Sequence, residues 1–221
     1  LDEIKIAAVM SLPRVGWNDS WGFAFDAFLP FRIPLFTRSQ AFWGHALQSL
    51  IEDRVEAGCD WVITLDYDSL FTKWDVDALI GRVIAHPEID AVAALQCRRG
   101  SDETPLMGIC GATQVEFGNE PVPCDTAHFG LTFLRCDALR KFPKPWFQQV
   151  PDKDGGWRGD DRTDCDIWFW RKWKEAGFTT FVDPNVSIGH LQLMVSEFGP
   201  DRKPRHVHVD DWRKEANARK Q

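Results

Sequence analysis

No Cys-x-x-Cys pair occurs among the six cysteines, at positions 59, 97, 110, 124, 136 and 165. A zinc knuckle and a dithiol redox pair are thereby excluded, and the thiols read as buried side chains of a reducing compartment. No apolar run approaches the length that spans a bilayer, and no basic stretch leads into an apolar signal core. No transmembrane segment is therefore expected, and cytoplasmic residence is the default. Positive charge is also scarce: a net charge of −7 argues against a broad basic nucleic-acid surface. Tyrosine occurs once, whereas tryptophan occurs 11 times. Tryptophan offers flat faces to sugar rings and nucleobases, and it equally fills cores and interfaces. The remaining composition, 44% hydrophobic and 27% charged over 221 residues, suits one globular domain with a substantial core.

One stretch organises the rest. Trp61, Val62, Ile63, Thr64 and Leu65 run without polar alternation and stop at Asp66-Tyr67-Asp68. Such a run predicts a strand buried on both faces, and open α/β sheets bind ligands beyond the carboxyl ends of their strands. Alternation along the strand sends Asp66 and Asp68 to the same side, where both can meet one hard cation that holds a diphosphate. The plainer reading is a strand end that opens a turn. Thr72 to Asp75 then reads as a capping box, and Val76, Leu79, Ile80, Val83 and Ile84 share a helical stripe.

Taken in order, residues 4–10 predict a first strand, followed by a turn-rich loop in which Arg14 and Trp17 can grip phosphate and base, or Trp17 can cover the core. Residues 23–36 are aromatic and broken by Pro30 and Pro34, with only a short strand predicted over 33–36. Residues 39–57 predict a helix closed by Gly58 in a left-handed cap. Residues 89–95 predict another buried strand, so strands and helices alternate as in a parallel sheet with right-handed crossovers. Arg98 and Arg99 follow that strand's end, either meeting phosphate or an acidic acceptor, or standing solvated. Residues 130–135 predict a further strand, with Asp137 capping a short helix. Residues 150–162 read as a polar, flexible loop able to close over a ligand. In the following helix Asp166, Phe169, Trp170, Trp173, Ala176 and Gly177 share one face. Asp166 is thus either an inward carboxylate at a pocket's mouth or a helix-start residue. Residues 178–182 predict a last strand, turned by Asp183-Pro184-Asn185 into 186–190, which ends at His190. The expected organisation is one domain over 1–198 and an exposed or partly ordered tail over 199–221.

Leu65-Asp66-Tyr67-Asp68, Lys144-Pro145-Trp146-Phe147, the helix from Asp166 to Gly177, and Asp183-Pro184 followed by Gly189-His190 occur in the order found in certain enzymes. With these elements the chain resembles nucleotide-sugar-dependent glycosyltransferases of the GT-A fold, family-2-like members in particular, over nearly its whole length. The resemblance implies an α/β fold, a single Rossmann-like GT-A domain with a mostly parallel central sheet flanked by helices. It implies a nucleoside-diphosphate sugar donor held through Mn2+ or Mg2+ and an acceptor that is a glycan, protein, lipid or modified nucleic acid. Asp68 matches the direct metal ligand, Asp66 the carboxylate that reaches metal, ribose or a bridging water, and His190 the distal ligand. Asp166 matches the catalytic base. Cys165 stands before it where the family usually has Glu or Asp, which leaves Asp164 as a competing base.

Two rivals stand beside this reading. Asp66-Tyr67-Asp68-Ser69-Leu70 also resembles the nucleophile motif of haloacid-dehalogenase-type phosphatases, and residues 159–164 their metal motif. In that family the nucleophile strand opens the fold and an apolar strand precedes the second motif; here a strand and a long helix come first, and residues 151–156 cannot be a strand. The other rival is a sugar- or nucleotide-binding protein of the same fold without turnover.

Overall fold

The computed structural model describes residues 4–13, 16–99, 105–108, 116–159, 161–199 and 201–218. Arg14 lies outside the described residues, as does Cys110. The first half runs β1 (Ile6–Ser11), α1 (Asn18–Phe28), a 3-10 turn (Leu29–Phe31), β2 (Leu35–Arg38), α2 (Trp43–Glu56), β3 (Trp61–Leu65), β4 (Ser69–Leu70), α3 (Lys73–Ala85) and β5 (Ala91–Gln96). The second half runs β6 (Val122–Pro123), β7 (Leu131–Arg135), α4 (Cys136–Lys141), α5 (Cys165–Glu175), β8 (Thr180–His190), β9 (Met194–Phe198), β10 (Pro204–His208) and α6 (Val209–Ala218).

Eight strands form one sheet in the order β2-β1-β3-β7-β5-β8-β4, with β6 also on β8. β1 pairs in parallel with β2 and β3, and β5 with β8. β7 lies antiparallel to both β3 and β5, which restores the common direction beyond it. Five strands thus point one way and carry their carboxyl ends to one edge. The sheet is mainly parallel as expected, with β7 as an antiparallel insert that a helix-by-helix alternation does not foretell and with the two-residue strands β4 and β6 antiparallel to β8.

Helices cover both faces. On one side α1 and α3 bring Ala24, Phe28, Val76, Leu79, Ile80 and Val83 against Ala8, Met10, Ile63 and Leu65. On the other, α2, α4 and α5 bring Leu47, Leu50, Ile51, Leu139, Phe169, Trp170 and Trp173 against Ala7, Val9 and Val62. Neighbouring residues of β1 enter opposite layers, as the strand period dictates, and β3 is buried at all five positions. Each fully buried Leu, Ile or Phe side chain contributes roughly 1.5–3 kcal/mol. Thr72 and Asp75 form the expected capping box of α3, and Gly58 closes α2 at φ +74.

Several expectations are corrected. Residues 23–36 contain most of α1, whose apolar positions are hidden in sequence by Gly22 and by exposed Phe23 and Phe25. Asp137 lies inside the first turn of α4, paired with Arg140, while Arg135 holds the cap position. The Asp183-Pro184-Asn185 segment is not a turn between two strands. It is a bulge inside β8: Ala94 pairs with Asp183 but Leu95 pairs with Ser187. The buried Asp183 carboxylate holds it, accepting from Arg82 at 2.8 Å and from the Asn185 backbone at 3.0 Å. Cys59 and Cys136 are buried, but Cys97 is exposed and Cys124 and Cys165 are partly so. The loop over 150–162 is tied rather than slack: Val150 and Thr163 exchange backbone hydrogen bonds at 2.9 Å, and Asp152 accepts from three loop N–H groups. Beyond residue 199, β10 pairs with β9 and leads into α6, none of whose residues is buried.

Candidate active site

β3 delivers Asp66 and Asp68 to the carboxyl edge of the sheet. The Ser69 N–H closes a tight turn on the Asp66 carbonyl at 3.1 Å, after which β4 pairs antiparallel with the end of β8, Ser69 opposite His190. That pairing, made possible by the bulge that redirects β8, sets the His190 ring beside Asp68. The Leu191 N–H fixes the approach by donating to the Asp68 carbonyl at 2.8 Å. Gly130 lies underneath, where a Cβ would come within 2.6 Å of Gln96 Oε1 and 2.7 Å of Ser69 Oγ. A larger residue would have to displace these side chains.

Asp66, Asp68, His190, Arg98, Arg99, Asp164 and Asp166 line one cavity of about 630 Å³. The fold thereby brings together every described residue singled out from the sequence except Trp17. Trp17 lines an adjoining cavity of similar size that shares Tyr67, Arg98 and Arg99 with the first.

The electrostatics divide the cavity. Asp68 is buried, and its Oδ2 lies 3.0 Å from Arg99 and 3.4 Å from His190 Nε2. His190 Nδ1 is 3.0 Å from the Cys97 carbonyl, which can only accept, so Nδ1 carries a proton, and Nε2 faces Asp68, to which it donates when the ring is protonated. Burial lowers the His190 pKa, but the hydrogen bonds to Asp68 and Cys97 outweigh it and leave the ring above its ordinary value. Burial pushes Asp66 up to about 7, the charges of Asp68 and Asp166 add to this, and the charge of His190 and, less, the Trp43 indole partly offset it.

At the other end Asp164 holds the N-cap position of α5, is half-exposed, and has Arg162 at 3.5 Å. Asp166 lies one step inside the helix, accepts from the Ile167 N–H at 2.8 Å, and has its pKa raised from its ordinary value, mainly by burial. Cys165, between them, has its thiol pushed up to about 11 by burial. It is a protonated thiol rather than a stand-in for a carboxylate.

His128 also lines the cavity. Its Nδ1 accepts from the Gly130 N–H at 2.8 Å, so Nε2 donates to the Ala94 carbonyl at 2.7 Å, and burial drives its pKa down to about 4. Trp43 and His128 were not singled out from the sequence. Trp43 reads there as one more member of the α2 stripe. Its signal is its place at the start of a helix that opens on the sheet's carboxyl edge.

The donor types suit Mn2+ or Mg2+: two carboxylates and an imidazole that can coordinate through Nε2 once the proton shared with Asp68 is lost. Among the described residues, however, no group of three or more His, Cys, Asp or Glu side chains converges to hold an ion in this arrangement. Asp68 is neutralised by Arg99 and His190 instead. No helix among the described residues is long and apolar enough to cross a membrane.

No family model matches the chain, and no curated protein sequence matches it. Solved structures do share its fold. One is A197 from STIV, 13% identical with a TM-score of 0.61, the match covering 93% of this chain and 95% of that one. Another is GalNAc-T7, solved with UDP, GalNAc and Mn2+, 12% identical with a TM-score of 0.57, covering 85% and 44%. A third is the mannosyltransferase PcManGT from Pyrobaculum calidifontis, solved with GDP-Man and Mn2+, 12% identical with a TM-score of 0.52, covering 84% and 56%. The chain spans less than half of GalNAc-T7 and just over half of the mannosyltransferase. The mixed α/β fold, with its mainly parallel sheet between helical layers, is of the GT-A type, as in these two neighbours.

Proposed function

We propose that this chain is a family-2-like, metal-dependent glycosyltransferase that moves a sugar from a nucleoside-diphosphate sugar to a hydroxyl acceptor. The observation that carries the reading is the convergence in one cavity of Asp66, Asp68 and His190 from two strand ends with Asp166 from the start of α5. Asp68 and His190 Nε2 would hold a divalent cation, and Asp66 would reach the same ion or the ribose. A cation bound there neutralises, as a Lewis acid, the charge that develops on the departing diphosphate. Arg99 gives up Asp68 when the donor enters and turns, with Arg98, to the phosphate oxygens, for which a guanidinium fork is suited. Trp17, in the adjoining cavity, takes the base.

Asp166 removes the acceptor proton. An acceptor hydroxyl is a weak nucleophile until a base takes its proton in the transition state, and a carboxylate raised by burial is a better base than a solvated one. Asp164 is the less suited of the two because solvent and Arg162 already satisfy it. The phosphatase rival requires a nucleophilic aspartate against a phosphomonoester. Having β1, α1, β2 and α2 ahead of the Asp-x-Asp favours the transferase.

The test is calorimetric titration of UDP- and GDP-sugars with Mn2+, Mg2+ and EDTA, followed by product analysis. Metal-dependent donor binding and slow donor hydrolysis are expected. Phosphate release from simple phosphomonoesters, without any donor binding, would overturn the reading.

A further inference from the structure

A second cavity, of about 610 Å³, opens beside the candidate active site and shares Trp43 and Cys165 with it. That volume falls within the roughly 300–1,000 Å³ typical of small-molecule sites. At its rim Phe42 is 64% exposed and Trp157 is 53% exposed, two large rings left facing solvent. Gln148 and Gln149 also line it, and no Asp, Glu, Lys or Arg is among its described lining residues.

Trp157 is held in place by the loop around it. The Asp152 carboxylate accepts from the Gly156 N–H at 2.6 Å and the Gly159 N–H at 3.0 Å, gripping the chain on both sides of the ring. A Cβ at either glycine would come within 3.0 Å of that carboxylate, so the grip depends on both being glycine. Phe42 is likewise braced by His45, ring to ring at 5.2 Å.

We propose that this cavity is the acceptor subsite and that it takes a neutral pyranose ring, so that the acceptor is a glycan; this rests on the transferase reading. The C–H face of a pyranose packs on an aromatic ring, as broad apolar faces do, while amide side chains both donate to and accept from its hydroxyls. A phosphorylated lipid or a nucleic acid would find no Lys or Arg among the described lining residues and only the single imidazole of His45, although phosphate contacts dominate such binding. The position agrees: Cys165 forms part of the shared wall, and it is flanked in the chain by Asp164 and by Asp166, the proposed base. An acceptor ring on Phe42 and Trp157 therefore lies next to the carboxylate that must take its proton.

The experiment uses the full chain with Mn2+ and UDP or GDP on an array of neutral oligosaccharides, followed by titration of the best binder. Trp157→Ala and Phe42→Ala, both at exposed positions, are each expected to weaken that glycan about tenfold, the scale of one lost aromatic face. Asp152→Asn should weaken it less. Donor affinity and donor hydrolysis should stay within about twofold in all three variants, because no donor contact is removed. Absence of neutral glycan binding in a chain that does bind donor would overturn the subsite alone. Glycan binding indifferent to both aromatic substitutions, or a preference for anionic acceptors, would overturn it as well. Failure of donor binding in the unaltered chain would instead remove the transferase reading.

Discussion

The two ends of the candidate cavity carry the same kind of group under opposite conditions. At the strand end, Asp68 is buried yet has Arg99 and His190 against it. At the helix end, Asp166 is partly buried and accepts from the Ile167 backbone N–H, with no ion pair to it among the described residues. Burial alone penalises an ionised carboxylate; a counter-charge removes the penalty and an uncompensated site keeps it. Asp68 is thus set against positive charge, whereas Asp166, like Asp66 beside Asp68, is a carboxylate whose affinity for a proton is raised. One cavity can thus separate donor binding from proton transfer.

The largest expected effect breaks the helix end. Asp166→Asn should lower kcat by roughly 10²–10⁴-fold with donor affinity nearly unchanged, since the amide keeps the shape and cannot take a proton. Initial rates and calorimetry on one preparation measure both quantities. Asp164→Asn should change kcat by less than about threefold; the reverse pattern would exchange their roles. Next, Asp68→Ala should remove metal-dependent donor binding by at least the roughly hundredfold that loss of a metal-site partner costs. The fold should persist, because the site lies at the sheet's edge.

A third test sharpens the contrast between the two cavity histidines. His128 is held neutral, with its folded pKa near 4 below the unfolded value. Between those values the unfolded chain binds a proton that the native chain does not, so this contribution is present above the unfolded pKa and lost as pH falls towards 4. Urea denaturation at neutral pH and near pH 4.5 should show a stability loss of about 2 kcal/mol attributable to it. His128→Asn should flatten that slope whatever its absolute stability. The smallest effect is expected at His190, where His190→Ala should weaken Mn2+ about tenfold and Mg2+ less, an imidazole favouring the softer ion. Because its pKa is raised, proton competition should begin at higher pH than for a free imidazole.

Much of the fold was legible where one periodicity ruled a segment. β3, α3 with its capping box, and the Phe169, Trp170, Trp173 face of α5 follow from local pattern. α1 did not, because glycine and exposed phenylalanines blur its stripe. The bulge in β8 did not, because Asp183-Pro184-Asn185 has the chemistry of a turn, and only pairing with β5 keeps it in the sheet. Among the site residues, Asp66 and Asp68 are marked by the abrupt end of an apolar run. Trp43 was hidden because a ring that packs on Phe129 and Phe147 while its indole reaches Asp66 looks, in sequence, like any core tryptophan.

Local sequence alone determined that a buried strand ends in two carboxylates, that a helix begins at Asp166 with an aromatic face, and that the net charge is unsuited to a broad polyanion surface. Those properties need only the strand and helix periods and the preference of apolar side chains for burial. Tertiary structure decided which of the marked residues meet. His190 reaches Asp68 because a bulge bends β8 onto β4, and Asp166 shares their cavity because α5 packs its rings beneath the same sheet edge. Arg99 claims Asp68 across a loop, and Trp157 reaches the second cavity on a loop tied by Asp152. Such encounters depend on strand order and register, which are set by contacts distant along the chain and carry no local signature.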